Sequence, residues 1–395
     1  MAERTVKSCS FKVILGKRSA MRWNLAYRTL MHDRGKLFAG LVGVIFSVVL
    51  VNLQGGLFFG LIQKASMLID RSEADIWIGH RGMHNVDFPH SIPERWEHVV
   101  AGVPGVSEVE PLRIAFGEFT LPDGGFENVV VVGVPRDAKL AKPFKIVEGP
   151  PDALNVHDAI VVDDCDHKKL ADPQLGELRE INRRRVRVTG KSHGVLSFLV
   201  TPYVFTDYDR VVELSDMRPD HTSYLLAKVN SGVDAGEVCD AIEERLPHLT
   251  AMTSKQYSDV SIGFWMTRTG IGISFGAATL LGLLVGVVMV GHTLYAMVLD
   301  HISEYATLRA IGMNEHELLT ILIIQSALVA LMGIGLGTAL TMLLQGIFST
   351  PQAAIEIPGF LYLGCGALIF CICLIASGLP YLRVRHIDPH QALQG

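Results

Sequence analysis

Four stretches of this chain are too long and too free of charge to be core helices of a soluble domain. A bilayer core about 30 Å thick is crossed by about 20 helical residues. The first stretch, Leu37 to Ile62, runs 26 residues without a charge, and its strongly polar members are Asn52 and Gln54. The second lies between Arg268 and Asp300 with His292 as its one group that titrates near neutral pH, the third runs from Leu318 to Thr350, and the fourth from Ile357 to Leu382. A cleaved signal has an apolar region of roughly 7–15 residues close to the N-terminus. Here 36 residues precede a run about twice that long, so it is expected to remain as a helix. The fold class that follows is an α-helical membrane protein with four transmembrane helices, and a wholly soluble enzyme is excluded.

Charge sets the expected orientation, because Lys and Arg stay on the cytoplasmic side. Residues 1–36 carry nine Lys/Arg and two acids, whereas 63–267 carries 22 basic and 32 acidic residues. The order expected is a cytoplasmic basic segment 1–36, a first span 37–62, an extracytoplasmic domain 63–267, a second span 268–299, a cytoplasmic loop 300–317, a third span 318–350, an outer link 351–356, a fourth span 357–382 and a cytoplasmic tail 383–395. The protein would then be multi-pass in the cell inner membrane with both termini cytoplasmic. Within Arg18–Lys36, Met21, Leu25, Leu30 and Met31 alternate with basic residues, and Trp23 and Tyr27 suit an interface, so an amphipathic helix on the inner leaflet is expected. The net charge of −5 gives no sign of a nucleic-acid binder.

Segment 63–267 is large enough for its own core. Glu127–Val134, Ala159–Asp163, Arg185–Thr189, Tyr203–Asp207 and Tyr224–Val229 read as Val-rich strands bounded by Gly, Pro or Asp. Ile92–Val100 and Ala235–Leu246 read as helices, the first opened by Pro93 and the second closed by Pro247. This predicts a large inserted α+β extracytoplasmic domain. Gln63–Arg71 lacks a breaker and is expected to carry the first helix onward as a stalk.

Catalytic motifs are scarce. Gly190-Lys191-Ser192 resembles the end of a phosphate loop, but Arg185 stands where the leading glycine belongs, so a strand turn is the better reading. His157, Asp158, Asp163, Asp164, Asp166 and His167 form an acidic cluster without an EF-hand pattern, read as a polar loop rather than a metal site. Arg183, Arg184, Arg185 and Arg187 read as a solvated strand edge. Cys165 and Cys239 read as free thiols, and Cys365, Cys371 and Cys373 as small apolar packers. No catalytic residue, cofactor-binding residue or metal ligand is assigned. The domain looks like a docking module.

Glu304 to Gly337 reads EYATLRAIGMNEHELLTILIIQSALVALMGIGLG. An acid, then LRAIG, then a glycine-rich helix resembles the motif that permeases of the MacB/LolC/FtsX superfamily place between their second and third helices. The C-terminal stretch from Leu379-Pro380 through Asp388 and Pro389 to Ala392 and Leu393 is similar to that family's closing pattern. Tyr305-Ala306-Thr307, and the first helix running into Ser72-Glu73-Ala74-Asp75-Ile76, resemble DevC-type permeases.

The resemblance implies the permease subunit of an ABC-type exporter, worked by a separate ATPase that binds the ATP, so the chain itself would be no enzyme and hold no cofactor. No Walker A segment is present, and a 36-residue N-terminus is too short for a fused nucleotide-binding domain. The expected partners are an ABC ATPase, a second permease copy as a homodimer, a membrane-fusion adaptor and the bilayer. ATPase coupling falls to Glu304, Tyr305, Leu308, Arg309, Ala310, Ile311 and Gly312. Tyr305, Leu308 and Ile311 share one helical face, Glu304 and Arg309 can fix register, Gly312 ends the helix and Asn314 caps the next. The pairs Gly56/Gly60, Gly272/Gly276 and Gly282/Gly286 stand four apart, which lets membrane helices approach closely, within one subunit or across a dimer seam. Membrane charges that could line a polar conduit are absent, in keeping with the mechanotransmission the family implies. Lipid or amphiphile export is the substrate class that the DevC-like features suggest. The alternatives are an FtsX-like signalling protein that activates a cell-wall hydrolase and a LolC-like lipoprotein extractor.

Overall fold

The computed structural model describes residues 23, 26–32, 34–142, 145–300, 307 and 313–378. Its longer helices are, in chain order, α1 (Arg34–Lys64), α2 (Ala235–Arg245), α3 (Ser254–Arg268), α4 (Ile271–Asp300), α5 (Glu315–Phe348) and α6 (Gly359–Ala376). Of these α1, α4, α5 and α6 are long and apolar enough to cross a membrane. The described residues divide into two compact units. One draws on 1–57, 274–349 and 355–395, the other on 58–273 and 350–354.

The helical unit is built on α1. Val44, Val48 and Val51 of α1 pack with Val290 of α4, Val329 and Ala330 of α5, and Cys365, Ile369 and Cys373 of α6. Glycine makes the close approaches possible. A Cβ on Gly333 or Gly337 would stand 2.6 Å from Val44 or 2.8 Å from Val48, and one on Gly43 would stand 2.6 Å from Met289. At one end Lys36 forms an ion pair with Asp300 and donates to the Ala296 carbonyl at 3.4 Å.

The inserted unit is a mixed α+β domain on a ten-stranded sheet in the order β12-β1-β11-β3-β4-β9-β6-β8-β5, with β7 against β3 and β8. The strands are β1 Ile76–His80, β2 Ile92–Pro93, β3 Val106–Thr120, β4 Phe126–Val134, β5 Ile146–Glu148, β6 Ala159–Asp163, β7 Leu178–Ile181, β8 Arg184–Ser192, β9 Tyr203–Asp207, β10 His221–Thr222, β11 Tyr224–Val229 and β12 Leu249–Thr253. Pairs β4–β9 and β6–β8 are parallel. The long β3 joins the two halves of the sheet. Its residues 106–112 pair with β11 and 113–120 with β4. Pro111 falls in the stretch with one neighbouring strand, where its missing N–H forfeits at most one ladder bond.

Helix α2, capped by Asp234 accepting from the Gly236 N–H, covers one end of the sheet with Val238, Cys239 and Ile242 against Ile76, Ile78 and Leu225. On α3, Tyr257 packs with Trp77 and Tyr224 in the main core. A capping box of Thr253 and Gln256 opens α3, and Gly270, at φ +71°, ends the turn that separates it from α4.

Two local expectations are corrected. Residues 92–100 do not form one helix. The residue before a proline is pushed towards extended backbone, so Ile92–Pro93 pairs with His221–Thr222 and the helix starts at Trp96. Nor does α1 continue to Arg71. It stops at Lys64, and a new turn, Met67–Asp70, follows Ser66, whose hydroxyl donates to Asp70 at 2.6 Å.

Candidate coupling and packing sites

The expected coupling residues Glu304, Tyr305, Leu308, Arg309, Ala310, Ile311 and Gly312 lie outside the described residues, as do Asp388, Pro389, Ala392 and Leu393 at the C-terminus. Thr307 within that loop is helical. Asn314 is the N-cap of α5, and its backbone N–H donates to the Glu317 carboxylate at 3.2 Å.

The six singled-out glycines separate by what they meet. Gly282 and Gly286 of α4 seat against α1, where a Cβ would come within 2.7 Å of Leu50 and 2.5 Å of the Ser47 hydroxyl. Ser47 also donates to the Gly282 carbonyl at 3.2 Å, so this seam is a contact within one chain. Gly56 faces Ile355 and Ile357 at 2.8 and 2.5 Å, and its carbonyl accepts from the Glu356 N–H at 3.0 Å. A Cβ on Gly60 would fall 1.9 Å from the Ala354 carbonyl oxygen. The Gly56/Gly60 pair therefore meets the segment between α5 and α6 rather than a helix face. A Cβ on Gly272 would meet the backbone of Met266 at 3.0 Å, while one on Gly276 would meet nothing within 4 Å among the described residues.

Sequence reasoning passed over two features. Gly333 and Gly337 have the same four-residue spacing and were legible on that ground. Lys64 is the charge that closes the first apolar run. It is 3% exposed, and its ammonium donates to the Pro351 and Gln352 carbonyls, both at 2.8 Å. Gln352 in turn donates through Nε2 to the Cys165 carbonyl and, at 3.4 Å, to Asp166. Asp166 is buried. Desolvation raises its pKa, against the pull of Lys169, Gln352 and Lys64.

In the inserted domain the polar clusters are occupied by structural contacts. Asp163 accepts from the Cys165, Gly194 and Val195 N–H groups and from the Ser192 hydroxyl, all at 2.9–3.0 Å. Lys191 of the phosphate-loop-like triplet pairs with Glu148 at 3.2 Å. Among the described residues no group of three or more His, Cys, Asp or Glu could hold a metal. Arg187 pairs with Asp158 at 3.3 Å, and Arg183 sits in a left-handed turn with Asn182 at φ 63° and 49°. A groove of about 910 Å³ runs beside this turn, between the β3–β4 hairpin and residues 212–216, with Phe116, Phe126 and Arg184 on its walls. Cys165 and Cys239 are free thiols. Burial and the Asp163 carboxylate push Cys165 up to about 11, which keeps it protonated and unreactive.

One buried acid stands apart. Asp87, 1% exposed, accepts from Tyr203 at 2.9 Å and Ser197 at 3.3 Å through Oδ1, with the Trp265 indole close by. Desolvation lifts Asp87 to about 6, offset in part by Tyr203, Ser197 and Trp265.

Comparison with known proteins covers both units. The MacB-like periplasmic core domain family matches residues 38–245, and the FtsX-like permease C-terminal family matches 276–389. An uncharacterized ABC transporter permease of Mycobacterium tuberculosis H37Rv is 23% identical over 363 residues, covering 89% of this chain and 93% of its own. Another from Mycobacterium bovis is 23% identical over 389 residues, covering 94% and 99%. Among solved structures, the periplasmic region of MacB from Actinobacillus actinomycetemcomitans aligns with a TM-score of 0.39 at 12% identity, covering 48% of this chain and 94% of that one. The extracellular domain of the transporter YknZ from Gram-positive bacteria gives 0.35 at 12% identity, covering 45% and 98%. With the first family spanning over half its length and the second its last three membrane-length helices, this chain belongs to the MacB/FtsX family of ABC transporter permeases.

Proposed function

We propose that this permease couples ATP hydrolysis on a separate ABC ATPase to movement of its inserted domain, exporting a lipid or other amphiphile together with a periplasmic adaptor. The observation that carries the reading is the pairing of an FtsX-like helical part with a MacB-like domain in one chain whose sequence holds no Walker A segment. An ABC permease works with an ATPase, and the segment suited to receive it is Glu304–Gly312. The basic residues 1–36 opposite the acidic 63–267 support a cytoplasmic N-terminus, a cytoplasmic 300–317 loop and an extracytoplasmic inserted domain. The DevC-like residues 305–307 and 72–76 favour the amphiphile class. The membrane helices carry no run of charges that would favour a hydrophilic conduit. Function as the non-catalytic subunit of a homodimer fits these features.

Purification in mild detergent, with mass spectrometry of what accompanies the chain, tests the reading. An ATPase and a membrane-fusion adaptor are expected, and the chain freed of both should hydrolyse no ATP. Recovery of a cell-wall hydrolase in place of the adaptor would replace export with signalling. Robust ATP turnover by the isolated polypeptide would end the permease reading.

A further inference from the structure

The segment between α5 and α6 is short, yet its residues 350–354 belong to the same compact unit as the inserted domain. Three features hold it there. The Lys64 ammonium, at the end of α1, takes the Pro351 and Gln352 carbonyls. The Gln352 side chain reaches the Cys165 carbonyl and the Asp166 carboxylate. Gly60 leaves room for the Ala354 carbonyl, which a Cβ would meet at 1.9 Å. The anchor on the domain side is not a loose loop. Cys165 and Asp166 follow directly on Asp163, whose four accepted hydrogen bonds tie the end of β6 to Ser192 at the end of β8 and to Gly194 and Val195.

From this geometry we infer that the 350–354 segment is a strap that transmits motion of α5 and α6 to the inserted domain, with Lys64 and Gln352 as its positioning residues. The inference rests on the permease reading above and adds to the two direct chain connections, through α1 and α4, a third path. The physical reason is the cost of release. A displaced α5–α6 pair must either carry Lys64 and the 163–166 turn with it or break the two Lys64 bonds to the strap carbonyls and the Gln352 bonds to Cys165 and Asp166. Taking two hydrogen bonds from a buried ammonium is unfavourable. Because Asp163 binds that turn to both β6 and β8, the pull is delivered to the sheet.

The test uses the full chain with its co-purified ATPase in lipid nanodiscs, in a background freed of native cysteines. Spin labels at Asp123→Cys in the β3–β4 turn and Gly335→Cys on α5 report the separation before and after trapping with ATP and vanadate. The wild-type background should show a nucleotide-dependent shift. Lys64→Met and Gln352→Leu should each lose it while ATPase stimulation persists, which is hydrolysis uncoupled from outer movement. Gln352 is half-buried and is the milder change, so it decides the matter if Lys64→Met fails to fold. A wild-type shift in Gln352→Leu, or in a folded Lys64→Met, would overturn the strap. If Gln352→Leu loses stimulation together with the shift, the residue is merely structural and the inference fails. Absence of both stimulation and shift in the wild type would instead bring down the permease reading, and the strap with it.

Discussion

In the sequence Asp87 is one acid among many in an acidic domain. Buried beside Tyr203, Ser197 and Trp265, it has its pKa lifted from 3.8 to about 6. The folded carboxyl then holds its proton more tightly than the unfolded one. Stability contributed by this group is greatest below about 3.8, falls as pH rises through about 6, and is lowest above that. The cost at neutral pH is roughly 3 kcal/mol. Asp87→Asn keeps an acceptor for Tyr203 and Ser197 but cannot ionise. Thermal unfolding of both proteins in detergent between pH 4 and pH 7 should show a difference that changes across this window. A constant offset would mean that Asp87 titrates normally.

Among the helices, glycine spacing had more than one meaning, and only packing separates them. Gly286→Val would drive a branched side chain into Ser47, and Gly337→Val into Val48. Overpacking of this kind costs about 1–3 kcal/mol per site, so both variants should melt earlier than wild type in detergent. A Cβ at Gly276 would meet nothing within 4 Å among the described residues, so Gly276→Val should leave the melting of the monomer unchanged. If it nonetheless disrupts the oligomer seen by size-exclusion with light scattering, Gly276 lies on a dimer seam, and an unchanged oligomer removes it from that role. The four membrane-length helices were legible because charge-free runs of that length have few other uses. Strands β4, β6, β8, β9 and β11 were legible through their Val-rich composition. The long β3 was not, because Pro111 and its charged residues mask the alternation, and tolerance of that proline depends on which strands pair beside it. The break after Lys64 was hidden for a similar reason. No breaker residue marks it, and the turn is set by Ser66, Asp70 and the distant carbonyls that Lys64 binds. Gly60 and Lys64 could be picked out in the sequence, but their partner, the 350–354 segment, could not.

At the scale of the whole molecule, sidedness and coupling can each be tested. Asp123 and Asp220 are exposed in the inserted domain, and Asn314 is exposed at the start of α5. In intact cells, cysteine at either of the first two should react with an impermeant maleimide, and Asn314→Cys should be spared. Labelling of Asn314→Cys would reverse the orientation. The proposed function turns on one requirement, that a separate ATPase seat on Glu304–Gly312. Its most direct test is co-purification of that ATPase with the wild type, with Arg309→Glu and with Arg184→Glu, an equivalent reversal in the inserted domain. Breaking a charged contact at a small interface is worth ~1–3 kcal/mol, or roughly 5- to 150-fold in affinity. The account predicts that Arg309→Glu inserts and folds but loses the ATPase and its stimulation, while Arg184→Glu keeps both. An Arg309→Glu protein that holds and stimulates the ATPase like wild type would contradict it.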